Sequence, residues 1–162
     1  MIPIFLVVLY IGFPGSQYVA MCIFIVAGLT DIADGYIARK NNMVTDFGKL
    51  MDPLADKILV LAAMLWFLEQ GNMPAWAVLI VVVREFTVTA LRLIAVDNGR
   101  VIAAGMSGKI KTVVTMVCLV VMFLELPTWA MNVCVALITI TTLYSGVEYF
   151  IKNKDVFNWK KI

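Results

Sequence analysis

The chain has 162 residues, of which 62% are hydrophobic and 15% are charged, and its mean hydropathy is +0.95. A soluble domain has roughly 45–50% apolar residues, so this composition predicts one integral membrane domain, residues 1–162, and excludes a sizeable soluble domain. The net charge of +2 is too small to indicate nucleic-acid binding, and the three cysteines lie singly in apolar runs without disulfide or metal-site spacing.

Hydropathy divides the chain into six predicted transmembrane helices, because each span needs roughly 20 apolar residues. In chain order they cover residues 1–14, 17–40, 47–69, 74–96, 108–126 and 128–151. The segments GFPGS, EQGNMP and ELPT separate three pairs of these helices with Gly, Pro and Asn, which end helices. The sequence therefore predicts an all-α integral membrane protein.

The basic residues are unevenly distributed over the connections between these helices. Lys and Arg residues lie in or beside the connections from the second to the third helix and from the fourth to the fifth, and Lys residues lie in the tail. By the positive-inside rule, both chain ends and these two connections face the cytoplasm. The first helix has no basic segment before it and no small-residue cleavage site, so we expect no cleaved signal peptide.

Aspartates and glycines recur at helical spacing beside the cytoplasmic connection between the second and third helices. They are spaced i, i+3, i+4, i+7 on one helix and by four on the next: Asp31, Asp34, Gly35 and Ala38, then Gly48, Asp52 and Asp56. Each set shares a helix face, so we expect the carboxylates to point into a common space, a polar cavity open to the cytoplasm. Such like charges require a cation, and oxygen ligands without histidine select a hard ion such as Mg²⁺, Mn²⁺ or Ca²⁺. The two glycines leave room for a bulky group, an arrangement typical of metal-dependent phosphoryl transfer.

These positions form the pattern D-x-x-D-G-x-x-A-R, eight residues, then G-x-x-x-D-x-x-x-D. The pattern resembles the signature of the CDP-alcohol phosphotransferase family, and it is matched in full by Asp31, Asp34, Gly35, Ala38, Arg39, Gly48, Asp52 and Asp56. The resemblance implies six transmembrane helices, usually in a homodimer, within the lipid bilayer. It also implies transfer of a phosphatidyl or related group from a CDP-linked donor to an alcohol, with release of CMP.

The resemblance further implies roles for single residues. One or two Mg²⁺ or Mn²⁺ ions would be bound by Asp31, Asp34, Asp52 and Asp56. The CDP group would contact Asp31, Gly35, Ala38, Arg39 and Gly48. Asp56 would also be the catalytic base that takes the proton of the acceptor hydroxyl. An aspartate has a pKa of about 3.9 and is a weak base, so we expect the metal to acidify the hydroxyl as the proton moves.

A second group of basic residues bears on the acceptor. Arg84 and Arg92 lie on the fourth helix, and Lys109 and Lys111 lie at the start of the fifth. We expect these side chains to converge on the cytoplasmic cavity and bind a dianionic phosphate. The segments REF…LR and GKIKT also resemble the branch of the family that forms phosphatidylglycerophosphate. That branch implies CDP-diacylglycerol as donor and sn-glycerol 3-phosphate as acceptor.

Several alternatives stay open at the level of sequence. The acceptor of a sister enzyme would be inositol phosphate, serine or another alcohol. Arg84 and Glu85 would be a structural ion pair if the membrane charges only satisfy one another, and Lys109 and Lys111 would then be topology signals. A divalent-cation transporter would place its carboxylates near the bilayer midplane with repeat symmetry, neither of which the sequence shows. A purely structural membrane protein would not need four aligned aspartates.

Overall fold

A computed structural model of the chain describes the backbone of residues 2–40, 46–97 and 105–154, and the side chains of 2–30, 57–95 and 105–154. Over these residues the regular structure consists of six α-helices, which confirms the all-α prediction. They are α1 (Ile2–Ile11), α2 (Ser16–Lys40), α3 (Asp46–Glu69), α4 (Ala75–Asp97), α5 (Met106–Met122) and α6 (Thr128–Lys152).

Two helices end before the hydropathy predicts, for reasons of backbone geometry. The helix α1 stops at Ile11 because Gly12 has a φ of 66°, in the left-handed region that glycine adopts without strain. The helix α5 ends at Met122, although apolar residues continue to Leu126. In that segment Glu125 has a φ of 51°, which no helix residue adopts. Hydropathy indicates which residues suit an apolar environment. It does not indicate the residue at which the helical hydrogen bonds end.

The end of α3 is a Schellman motif. The N–H of Asn72 donates to the carbonyl of Phe67 at 2.9 Å, and the N–H of Gly71 donates to the carbonyl of Leu68 at 3.1 Å. Gly71 has a φ of 75°, as the motif requires. This turn reverses the chain within a few residues, so α4 runs back alongside α3.

An aromatic cluster fills the core among α1, α2, α3 and α5. The ring of Phe123 lies 4.8 Å from Phe67, 5.7 Å from Trp66 and 6.2 Å from both Phe5 and Phe24, measured between centroids. These separations are typical of aromatic pairs that stabilise a core beyond their burial alone. The cluster holds one end of the bundle together. The polar side chains described below lie nearer the opposite end.

The outer surface of the bundle is apolar. Large hydrophobic side chains such as Phe86, Trp129 and Ile140 are more than 60% exposed, which fits a surface in contact with lipid. Within the described part of the chain, one helix is long and apolar enough to cross a bilayer, the 25-residue α6 with a hydropathy of 1.6. The helix α5 has 17 residues, and α4 carries four charged residues. The prediction of six spans therefore stays a prediction.

Candidate active site

The aspartate signature lies on two consecutive helices. The helix α2 extends to Lys40 and α3 begins at Asp46, so the signature positions fall in the last part of α2 and the first part of α3. Because the two helices are joined end to start, these parts lie at the same end of the helix pair. The side chains from 31 to 56 lie outside the described ones, so the predicted metal ligands and CDP contacts stay predictions. The side chains that are described contain no group of three acidic, histidine or cysteine residues able to hold a metal ion.

A cluster of charges surrounds Glu85 on α4, and we call Lys57, Arg84, Glu85 and Lys111 the Glu85 cluster. Both Lys111 Nζ and Arg84 Nη1 lie 2.8 Å from Glu85 Oε1. Lys57 Nζ lies 3.6 Å from Glu85 Oε2 and donates a 2.7 Å hydrogen bond to Thr89 Oγ1. The cluster therefore brings together side chains from α3, α4 and α5.

The Glu85 cluster combines burial with an excess of positive charge. The side chain of Lys111 is 5% exposed, that of Arg84 12%, and that of Glu85 20%. Charges at such depth are costly unless they are paired and hydrogen-bonded. Among the described side chains, three cations meet one carboxylate here. A negatively charged group that enters the cluster would meet favourable electrostatics.

Arg84 lies in a narrow slot between α5 and α6. Its Nη2 donates to Ser145 Oγ on α6. A methyl group at Gly146 would lie 3.4 Å from Arg84 Cγ, and one at Gly108 would lie 3.5 Å from Arg84 Nη2. The buried Nε of Arg84 has no hydrogen-bond partner among the residues that the structure describes. The arginine is thus held in place on two sides and keeps donor capacity.

Arg92 lies two turns further along α4 and faces α6. Its Nε donates a 3.2 Å hydrogen bond to Tyr149 Oη, and its guanidinium carbon lies 5.6 Å from the centre of the Tyr149 ring. The eight residues from Arg84 to Arg92 correspond to about 12 Å along the helix axis. Of the four predicted acceptor residues, the structure brings Arg84 and Lys111 together on Glu85 and places Arg92 at a separate contact. Lys109 is exposed on α5.

A cavity of about 300 Å³ lies beside the Glu85 cluster, between α3, α4 and α5. The charged part of the cavity lining lies toward the first part of α3 and consists of Lys57, Glu85 and Lys111, together with three threonines. Apolar side chains, among them Leu61, Met64 and Phe86, line the rest. The cavity therefore joins a cationic region to an apolar one, as a site for an amphipathic molecule would.

Sequence reasoning missed four polar side chains of this region as site residues. No site role is predicted from the sequence for Lys57, Ser145 or Tyr149, and Glu85 is named there only as the alternative structural partner of Arg84. A usable signal was present, because Ser145 and Tyr149 are polar, four residues apart and therefore on one face of an otherwise apolar helix.

Comparison with known proteins gives consistent results. Residues 1–144 match the CDP-alcohol phosphatidyltransferase family. A Bacillus subtilis (strain 168) protein named "CDP-diacylglycerol--glycerol-3-phosphate 3-phosphatidyltransferase" is 39% identical, and the match covers 94% of this chain and 89% of that protein. A Shigella flexneri serotype 5b protein of the same name is 35% identical over 92% of this chain and 86% of its own length. A Mycobacterium tuberculosis (strain CDC 1551 / Oshkosh) protein named "Probable phosphatidylglycerophosphate synthase" is 37% identical over 92% of this chain and 74% of that protein.

Proposed function

Because the chain belongs to the CDP-alcohol phosphatidyltransferase family, we propose that it transfers the phosphatidyl group of CDP-diacylglycerol to sn-glycerol 3-phosphate. The products are phosphatidylglycerophosphate and CMP. Relatives whose names state this reaction, or its product, match more than nine-tenths of the chain. The observation that carries the choice of acceptor is the Glu85 cluster, whose excess of positive charge suits an alcohol with its own phosphate.

The reaction is a substitution at phosphorus. A hydroxyl oxygen of glycerol 3-phosphate attacks the phosphorus of the phosphatidyl group, and the bond from that phosphorus to the CMP oxygen breaks. CMP leaves with the electron pair of the broken bond. Asp56 takes the proton of the attacking hydroxyl, which raises the nucleophilicity of the oxygen as the new bond forms.

Four aspartates would hold the metal ions of this reaction: Asp31, Asp34, Asp52 and Asp56. This donor set fits Mg²⁺ or Mn²⁺, because both ions prefer carboxylate oxygens and the signature contains no nitrogen or sulfur ligand. When bound, one or two such ions would neutralise the charge of the pyrophosphate. The small residues Gly35, Ala38 and Gly48 leave space for CDP beside the carboxylates, and Arg39 supplies a positive charge for its phosphates.

The acceptor phosphate binds at the Glu85 cluster. Arg84 contributes its remaining N–H groups, including the buried Nε, and Lys111 contributes a second buried charge. Arg92 completes the phosphate site from the next turns of α4, and Lys109 attracts the anion from the exposed side of α5. Lys57 joins the cluster from α3, the helix that also carries Asp52 and Asp56.

The protein works as a multi-pass membrane protein. The six helices cross the bilayer, with both chain ends and the active site on the cytoplasmic side, where CDP-linked and phosphorylated substrates are available. Pairing of Arg84 and Lys111 with Glu85 lowers the cost of placing charges within α4 and α5. The enzyme functions as a homodimer.

The decisive experiment measures CMP release by the purified protein in vesicles that contain CDP-diacylglycerol and Mg²⁺. Glycerol 3-phosphate is expected to support release, whereas glycerol, serine and inositol phosphate support little or none. Preference for serine or for unphosphorylated glycerol would contradict the role of the Glu85 cluster in phosphate binding. Preference for inositol phosphate would assign the chain to a sister reaction of the same family. No release with any acceptor would refute the transferase assignment.

A further inference from the structure

Both arginines of α4 contact the same face of α6. Arg84 and Arg92 are eight residues apart and share one stripe of α4. Val88 and Leu91, which lie between them, are buried and pack with Tyr149 in a small hydrophobic cluster. The apolar contact fixes the distance between α4 and α6. It thereby brings polar groups of α6 within reach of both arginines.

The first arginine is anchored by Ser145 and its neighbour. Ser145 is completely buried, and its Oγ accepts a hydrogen bond from Arg84 Nη2. Gly146, the next residue, leaves the space through which the Arg84 side chain passes. Two of the five N–H groups of Arg84 are thus used by Ser145 and Glu85, and these contacts define the plane of its guanidinium.

The second arginine is anchored by Tyr149, which is 6% exposed. The hydroxyl of Tyr149 accepts from Arg92 Nε, and its ring lies beneath the guanidinium. This contact uses only the Nε–H of Arg92. The two Nη groups remain available as the pair of donors that binds phosphate oxygens.

We propose that Ser145 and Tyr149 are positioning residues, which hold Arg84 and Arg92 in the orientation that binds the phosphate of the acceptor. The inference rests on the proposed function of the two arginines. Both positioning residues lie beyond residues 1–144, the part of the chain that matches the family. They act through the arginines and need not touch the substrate.

Preorganisation is the physical reason for such an arrangement. A long arginine side chain loses rotamer freedom when it binds a phosphate, and this loss weakens binding. A side chain that is already held by a hydrogen bond and an aromatic ring loses less on binding. Removal of the anchor therefore weakens binding of the acceptor but leaves binding of CDP-diacylglycerol and the chemical step unchanged.

The test compares Tyr149→Phe, Arg92→Ala and the double variant in the full-length protein, with CMP release measured at varied glycerol 3-phosphate. Tyr149→Phe keeps the ring and removes the hydroxyl, so the fold is retained. We expect KM for glycerol 3-phosphate to rise about three- to tenfold, with kcat and KM for CDP-diacylglycerol unchanged. In the Arg92→Ala background, Tyr149→Phe should add less than about twofold, because it acts through Arg92. Tyr144→Phe is the matched control, because Tyr144 lies on the same helix with 66% of its surface exposed.

The same cycle applies to Ser145→Ala and Arg84→Ala, with the thermal midpoint of each variant recorded. Equal effects of Tyr149→Phe in the wild-type and Arg92→Ala backgrounds would overturn the positioning role, as would a lower midpoint with an unchanged KM. An Arg92→Ala variant with normal KM for glycerol 3-phosphate would overturn both the inference and the acceptor role of Arg92. A raised KM in Arg92→Ala but not in Tyr149→Phe would overturn the inference alone.

Discussion

Glu85 determines the charge balance of the candidate site. It is the carboxylate that Lys57, Arg84 and Lys111 share in the described part of the chain. The Arg84–Glu85 pair, open as a structural alternative at the level of sequence, is present with an N–O distance of 2.8 Å. The pair leaves other hydrogen-bond donors of Arg84 available, because its Nε has no hydrogen-bond partner among the described residues. A structural ion pair and a phosphate site are therefore compatible in one cluster.

The Glu85→Gln variant tests this balance through stability. Removal of the shared charge leaves three cations close together, and we expect a loss of roughly 2–3 kcal/mol in unfolding free energy. The loss stays below that of a fully buried pair because a fifth of the Glu85 side chain is exposed. Adding Lys111→Met should recover part of the loss, since one of the repelling charges is then gone. Thermal unfolding in detergent measures the stability of the single and the double variant. A Glu85→Gln variant as stable as the wild type would contradict the role of Glu85 in balancing the three cations.

The aspartates of the signature allow a second test at the residue scale. Asp31→Asn, Asp34→Asn and Asp52→Asn should each abolish most turnover and weaken CDP-diacylglycerol binding, because each removes a proposed metal ligand. Asp56→Asn should lower kcat far more than it weakens binding, because it removes the proposed base. Turnover and equilibrium binding of CDP-diacylglycerol are measured side by side, with and without EDTA. Full activity in EDTA would contradict metal dependence, and equal losses in Asp56→Asn would make Asp56 chiefly a ligand.

At the scale of elements, α6 combines the length and composition of a bilayer span with the role of a scaffold for the site. Its sequence is apolar over 25 residues and satisfies the length of a span. The last third of the helix carries Ser145, Gly146 and Tyr149 on the side that faces α4 and α5. One helix thus has the features of a membrane span and also shapes the slot for Arg84.

Two substitutions at Gly146 separate the contribution of α6 to stability from its contribution to acceptor binding. Gly146→Ala places a methyl group 3.4 Å from Arg84 Cγ, at an ordinary contact distance, and we expect a gain of about 0.5–1 kcal/mol from the better helix former. Gly146→Leu would fill the slot, displace Arg84 and raise KM for glycerol 3-phosphate. The thermal midpoint and the KM of both variants are compared with the wild type. Normal acceptor binding in Gly146→Leu would show that the slot does not position Arg84.

At the scale of the whole molecule, the fold separates an aromatic end from a charged end. Tyr10 Oη donates to Glu69 Oε2 at 2.7 Å, which joins the ends of α1 and α3 on the side of the aromatic cluster. The Glu85 cluster lies toward the other end of α3, where Lys57 is placed. This polarity agrees with the proposed orientation, in which the charged end faces the cytoplasm.

Reporter fusions test the orientation of the chain in the membrane. Alkaline phosphatase inserted at Gly71, in the turn between α3 and α4, should be active because that turn is expected outside the cytoplasm. Green fluorescent protein at the C-terminus should fluoresce, since that end is expected to be cytoplasmic. A phosphatase fusion in the connection between α4 and α5 serves as the inactive control. The reverse pattern would refute the cytoplasmic placement of the active site.

Local patterns in the sequence determined the all-α class, and they predicted the bounds of the six helices in the described residues to within four residues. They did so because apolar periodicity and helix-ending residues act within a few positions of the chain. The family was likewise determined by the sequence, since the spacing of the aspartate signature is itself local. The side-chain geometry of the aspartate signature stays a prediction, because the structure does not describe those side chains.

Only the tertiary structure decided which partner each cation meets. Lys57 and Lys111 are 54 positions apart, yet both contact Glu85, and Arg92 meets Tyr149 rather than the other predicted phosphate ligands. Such contacts depend on how helices pack across the bundle, where several registers would satisfy the same hydropathy. Gly108 and Gly146 lie on different helices, and close packing of these helices brings both glycines to the side chain of Arg84.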